Sequence, residues 1–431
     1  MAGTVGSMHV VSKRDNAKHA SFQLDVKLPP LASSSLRIRP RLIAITFNNL
    51  SYAQGGTFLH WWDTYPVPET APVPYNNRND WGIVPAWGYG EVIDSTIDAL
   101  PPGSSVWGFW PTSAFPVDLK LEAAAEPKGH WREVSAHRSQ LMSLYNRYIE
   151  LPVGSAQSDN EEAWTAVLKP VWEAAYQLNR YVFPGVGKAE HLSPLHPTGT
   201  GHEWTAEDAD LTSAIVVSLS ASTKTGRGFA WQLRRNRNVQ SKGPLGFIQA
   251  TSSPSALSNH ADSELLPTRT VSYETLVESE TAAWIAGFNP KRIVIVDFGA
   301  AGNVLELFKS LIESSDVFRP LAPAVTIIGV GAQAQILPAT GLQERMAHGQ
   351  LMGKVQFNAS GLRDRGIEAE GGAVYFQSVN ECFQKWMDEK GMGALELSWG
   401  EGVQGPKGVE GAWTDLCEGR MAVEKALIFR I

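Results

Sequence analysis

Hydrophobic and polar positions divide the chain into stretches of different rhythm. From Ser21 to Ala53 they alternate, as in FQLDVKL and RIRPRLIAITF, and from Val84 to Phe115 short apolar runs are broken by WGYGE, PPGSSVWG and FWPTS. A period of two with glycine and proline turns is the pattern of strands, so this part predicts an irregular β domain. Between Asp159 and Tyr181, Trp164, Val167, Leu168, Val171, Trp172, Ala175 and Tyr176 recur three and four apart. That spacing predicts a helix with a core-facing stripe, capped by Asp159 or Asn160 and bent at Pro170.

Farther on, the rhythm changes again. AIVVS (Ala214–Ser218) precedes a helical stretch reaching Arg237, followed by GPLGFIQATS, a run near Thr270 to Tyr273, RIVIVDFG, a helical stretch from near Val304, and AVTIIGVGA. Continuous apolar runs alternating with helical segments predict a parallel sheet buried on both faces, with crossover helices. The expected fold class is α/β. Domain limits are expected at 1–205 for the β-rich part with its linking helix, 206–355 for the parallel sheet, and 356–431 for a return ending in the strand ALIFRI.

Composition narrows the function. A length of 431 residues with 43% hydrophobic residues supports a large core, and a net charge of -7 with pI near 5.9 speaks against a nucleic-acid partner. Arg234, Arg235 and Arg237, the densest basic group, read as a solvated helix end. Cys382 and Cys417 are too few for a disulfide framework or a cysteine-rich zinc site. His191, His196, His202 and Glu203 in the Gly/Pro/Thr-rich stretch 184–208 match no helical ligand motif, so no metal is expected. With neither a long apolar run nor a signal core in MAGTVGSMHVVSKRD, the expectation is a cytoplasmic protein without membrane contact.

LTSAIVVSLSASTKTGRGFAWQ carries the candidate chemistry. In a doubly wound sheet the turn after the first strand presents backbone N–H groups and a helix N-terminus to a dinucleotide's pyrophosphate. Here Ser220, Ser222, Thr223, Lys224 and Thr225 stand where G-x-G-x-x-G has its glycines; small residues and hydroxyls suit the turn, and Lys224 adds positive charge. The spaced glycines of a P-loop are missing, which speaks against nucleotide triphosphate hydrolysis. At the second strand end Thr251, Ser252 and Ser253 replace the acidic residue of an NAD site, favouring NADPH. Gly299 and Gly329 follow later strands, where they would flank the cofactor.

The order of segments, with RLIAITFNNLSYAQGG, IVPAWGYGEVIDS and LPPGSSVWGFWP, resembles the zinc-free quinone and enoyl reductase branch of the medium-chain dehydrogenase/reductase superfamily. The resemblance implies a GroES-like irregular β domain plus a Rossmann-like doubly wound parallel sheet, Asn48 near a nicotinamide, and a homodimer paired through sheet edges. The G-H-E segment and four-cysteine lobe of zinc-dependent members are lacking. More closely, Asn48, Asn49, Tyr52 and Ala53, then Trp87, Gly88, Glu91 and Val92, then AHRSQLMSLYNRY (136–148) and Thr223–Thr225 look like a fungal and bacterial family defined as a domain of unknown function. On this footing Tyr52 is the candidate proton donor beside Asn48, with His60 as the alternative acid near neutral pH. The Pro-rich, aromatic stretch HWWDTYPVPETAPVPYNNRNDWG predicts substrate walls and a large apolar or aromatic substrate. Three functions follow: an NADPH-dependent reductase, with secondary metabolism as its setting; an isomerase, cyclase or lyase on the same scaffold; or a binding protein without chemistry.

Overall fold

A computed structural model describes residues 4–151, 158–185, 192–236, 243–257, 266–333, 335–338 and 341–431. The chain divides into two units: Met1–Pro170 with Ala334–Glu344 and Leu395–Ile431, and Val171–Gln333 with Arg345–Ala394. These limits differ from the expected 205 and 355. The first falls inside the helix Asp159–Gln177, at Pro170. The second differs because the helices Ala359–Glu370 and Gly372–Asp388 stay with the parallel sheet: Arg363 of one and the Tyr375 hydroxyl of the other both donate to Glu173, in a buried group. Only the last part of the chain returns.

In the first unit, Ser35–Ile45 pairs along its length with Pro85–Ser95, and the ring continues through Ser105–Pro111, Arg147–Glu150, His130–Glu133 and Val117–Ala123. Val117–Lys120 then pairs back onto Ser35–Ile38, closing a barrel. Closure gives each strand two neighbours and one inward face, which is why alternation is the sequence signal. Lys425–Arg430 joins the free half of Ser35–Ile45, and Glu396–Glu401 lies beyond it. Thr4–Ser12, His19–Val26 and Trp81–Gly82 form a separate small sheet.

The second unit is built on six parallel strands, here β1 Ala214–Leu219, β2 Gly246–Ala250, β3 Thr268–Val271, β4 Arg292–Phe298, β5 Ala324–Gly331 and β6 Lys354–Gln356. Their order is β3-β2-β1-β4-β5-β6, the doubly wound order in which direction reverses between β1 and β4. β1 is buried at every position, as its continuous apolar pattern requires. Leu219 stands level with Ala250 and Asp297, so the carboxyl ends of β1, β2 and β4 meet at the switch point. Helix α1, Lys224–Asn236, leaves that point.

Two local expectations change. Ser158 and Glu161 exchange capping bonds at the start of Asp159–Gln177, making Ser158 the cap rather than Asp159 or Asn160. Arg234 is buried over the Phe247 ring, contrary to the expected solvated end, whereas Arg235 is exposed and pairs with Glu389; Arg237 lies outside the described residues.

Candidate functional site

The turn after β1 begins with Ser220 in the left-handed region, φ 56, a conformation glycine adopts freely and serine only at a cost. Its hydroxyl lies 2.8 Å from that of Tyr273, which anchors the residue. Ser222 and Thr251 share a hydrogen bond of 2.7 Å between their hydroxyls. Thr223 accepts from the N–H of Gly226 at 3.1 Å, the bond of a helix N-cap. Three hydroxyls are thus engaged in fixing the turn. Thr225, one residue into α1, is half-buried.

Gly226 keeps the third position of the glycine motif. A Cβ there would stand 2.7 Å from the Ala221 carbonyl oxygen, so only glycine lets α1 leave the strand at this distance. Counting back along G-x-G-x-x-G puts Ala221 and Thr223 at the other two glycine positions. Part of the motif survives in spacing and the rest in shape.

Charge reinforces the helix end. Burial, with Arg227 as the second cause, pulls the Lys224 ammonium down to about 8. Arg227 is buried and donates to the Ser222 carbonyl at 2.9 Å and to that of Ala256 at 2.9 Å. Two cations and a helix N-terminus therefore occupy one end of α1, an arrangement that an anion relieves.

Neighbouring strand ends are equally organised. Thr251 is buried, whereas Ser252 is exposed and Ser253 half-buried. Gly299 has φ 105, and its N–H donates to Asp297 at 2.9 Å. Lys354 reaches Asp297 at 2.7 Å, with its stem over Gly329, where a Cβ would lie 2.4 Å from the lysine Cδ. Gly329 thus serves the Asp297–Lys354 pair. Asp297 and Tyr273 are legible in the sequence only as parts of strand-like runs, and nothing local in the sequence marks Lys354 or Arg227.

In the first unit, RLIAITFNNLSYAQGG is a strand only to Ile45; Thr46 and Asn49 form a capping box and Phe47–Gln54 is a helix. Tyr52 is buried among Trp61, Phe109 and Tyr145, with ring centroids 4.8, 5.1 and 5.8 Å away. Its hydroxyl accepts from Trp87 Nε1 at 3.1 Å. Burial pushes the phenol up to about 12, while hydrogen bonds from Trp87, Asn48 and Tyr145 act in the opposite direction. Asn48 and Tyr52 are therefore brought together. His60 is engaged elsewhere: it has φ 63 and bonds Asp63 at 2.8 Å.

The three first-unit motifs meet here, since Tyr52, Trp87 and Tyr145 come one from each. Around AHRSQLMSLYNRY, Arg138 is buried, donates to Tyr148 at 2.8 Å and lies 4.5 Å from the Tyr65 ring centre. This group is structural. Of the aromatics in HWWDTYPVPETAPVPYNNRNDWG expected as substrate walls, Trp61, Trp62 and Tyr65 are buried core and Tyr75 and Trp81 are half-buried; Trp87, Tyr89, Trp107, Phe109 and Trp110 of the same unit are buried as well.

Among the described residues no group of three or more His, Cys, Asp or Glu could hold a metal ion, and no helix is long and apolar enough to cross a membrane. His196 and His202 stack edge to face, and His191 lies outside the described residues.

The fold has solved counterparts. An enoyl thioester reductase mutant from Candida tropicalis is 11% identical with TM-score 0.51, covering 99% of this chain and 100% of that one. A mitochondrial 2-enoyl thioester reductase heterodimer from the same organism gives 10% and 0.51 over 99% and 100%. The Etr1p/NADP/crotonyl-CoA complex gives 11% and 0.53 over 99% and 100%. At these identities the likeness establishes the fold. No curated protein matches the chain in sequence. The model of the family described as Protein of unknown function (DUF2855) matches residues 43–422, and the chain belongs to that family.

Proposed function

We propose that this protein is an NADPH-dependent reductase needing no zinc, acting on an enone, enoyl thioester or ketone with an apolar body. The observation that carries the reading is the half-buried Lys224 ammonium at the N-terminus of α1, at the switch point of a doubly wound sheet. The fit rests on a turn with a glycine where a Cβ would strike the backbone. Lys224 and the first-turn amides of α1 would hold the pyrophosphate. Ser252 and Ser253, with no carboxylate among them, leave room for a 2′-phosphate. The structural counterpart solved with NADP and crotonyl-CoA supports the same choice.

NADPH, when bound, supplies the hydride. Tyr52 would be the proton donor, its phenolic proton going to the atom of the double bond that does not take the hydride and being replaced from solvent. Its raised pKa keeps the proton on at neutral pH, and hydrogen bonds from Trp87, Asn48 and Tyr145 stabilise the phenolate left behind. Asn48 is a positioning residue for that phenol.

A second reading is supported by the turn itself. Ser220, Ser222 and Thr223 bond inward, as they would in a non-redox isomerase, cyclase or lyase that had lost the cofactor. The test is NADPH oxidation with a panel of enones, enoyl thioesters and ketones in the presence of a metal chelator. Substrate-dependent oxidation is expected with at least one class. Rearrangement of a panel member without NADPH, and no oxidation, supports the second reading instead.

A further inference from the structure

Arg345 lies in the helix Gly341–Leu351, which connects β5 to β6. Its Nη1 donates to the carbonyl of Gln333 at 3.4 Å, two residues beyond the end of β5. The guanidinium is thereby held at the carboxyl edge of the parallel sheet, where ligands of such sheets bind. Two glycines shape that edge: a Cβ on Gly299 would stand 2.6 Å from the Ala332 carbonyl oxygen, and one on Gly331 would stand 2.6 Å from that of Phe298.

Arg345 differs from other arginines inside the molecule. Arg180 is bound to Glu370 and Arg363 to Glu173, and Arg138 has Tyr148 and Glu133. The Nη2 of Arg345 is buried with no hydrogen-bond partner among the described residues. Burial is the sole cause acting on its pKa, which it lowers; no carboxylate opposes it. A guanidinium presents a planar fork of donors that stays charged, and a buried charged donor without an acceptor costs more than a neutral one. A carboxylate or phosphate matches that fork with two parallel hydrogen bonds. The side chain is only half-buried, so rotation about its last torsions brings Nη2 to a ligand.

We propose that Arg345 binds an oxyanion of the substrate, a carboxylate or a phosphate, so that the substrate joins a charged end to its reducible apolar part. The word substrate rests on the reductase reading; the oxyanion site itself does not. Lys224 serves the cofactor, and Arg345 serves the molecule to be reduced.

The test titrates the full chain and its Lys224→Ala, Arg345→Gln and Arg345→Lys variants with pyrophosphate and with succinate at constant ionic strength, reading the melting temperature. NADPH binding is followed separately by tryptophan fluorescence. With the cofactor's phosphate site removed by Lys224→Ala, one of the two anions is expected still to stabilise the protein, with at least fivefold weaker apparent affinity when Arg345→Gln is added to Lys224→Ala and partial retention when Arg345→Lys is added. NADPH is expected to bind Arg345→Gln within twofold of wild type. Preference for pyrophosphate identifies a phosphate-bearing carrier ester as the substrate class, and preference for succinate identifies a free acid. The proposal is overturned if neither anion stabilises Lys224→Ala, if adding Arg345→Gln to Lys224→Ala leaves that response unchanged, or if NADPH affinity falls with the arginine. If Arg345→Gln does not melt cooperatively, Arg345→Lys carries the comparison, and undiminished affinity there overturns the proposal. Absence of NADPH binding with arginine-dependent anion binding intact removes the reductase reading and leaves the oxyanion site standing.

Discussion

Around Ser220 the side-chain hydroxyls are engaged with the backbone and with one another, whereas around Tyr52 several side chains converge on a single oxygen. The first region is a shape: its working groups are amides, a helix end and Lys224, and its hydroxyls hold that shape. The second is a constellation, in which Trp87, Asn48 and Tyr145 bear on one buried phenol. A shape tolerates exchange among small residues where φ and space allow. A constellation does not tolerate loss of its central atom.

The difference is tested most strongly at Tyr52. Tyr52→Phe is expected to reduce turnover about 100-fold, near the lower end of what a general acid contributes, while the NADPH dissociation constant stays within twofold. Turnover close to wild type would reduce Tyr52 to a packing residue. Gly226→Val is the corresponding break in the turn. It sets a side chain against the Ala221 carbonyl and is expected to cost about 2–3 kcal/mol in urea unfolding, as overpacking does, together with NADPH binding.

pH separates the two units. His9 is buried against His19, and burial, then the neighbouring imidazole, lowers its pKa to about 3. The unfolded chain takes up a proton below the ordinary value that folded His9 refuses, so stability falls as pH drops from 6.5 towards 3. Between pH 6.5 and 5 the loss is about 2 kcal/mol, and His9→Gln should flatten it in unfolding titrations. Lys224 acts in the opposite range: with its pKa lowered to about 8, the second unit gains stability as pH rises from there towards 10.5, the ordinary lysine value. The smallest effect is expected for Ser220→Gly. Relief of the left-handed serine and loss of the Tyr273 bond oppose each other, leaving a change within about 1 kcal/mol and NADPH affinity unaltered.

Strands buried on both faces announce themselves without any partner, which is why AIVVS and RIVIVDF located β1 and β4 and, with them, the switch point. Barrel closure did not, because pairing of Ser35–Ile38 with Val117–Lys120 joins segments whose alternation is the same whichever neighbour they take. The helix at Phe47 was hidden behind the β-branched run that ends at Ile45, although Thr46 and Asn49, three apart, are its capping signal. Candidate residues were legible where chemistry is local, as in the small-residue turn with Lys224. Where chemistry is assembled they were legible only in part: Tyr52 came through the family resemblance, its meeting with Trp87 and Tyr145 only through the fold, and Arg345 resembles any surface arginine until its Nη2 is found buried without an acceptor.

The central claim, that the turn after β1 still holds a dinucleotide, is most directly tested by equilibrium titration with NADPH and NADH in wild type and Lys224→Ala across pH 6 to 10. Saturable binding is expected that favours NADPH, weakens at least tenfold in Lys224→Ala, and declines in wild type as the lysine loses its proton. Absence of saturable binding to the folded wild-type chain, or equal affinity in Lys224→Ala at every pH, would contradict it.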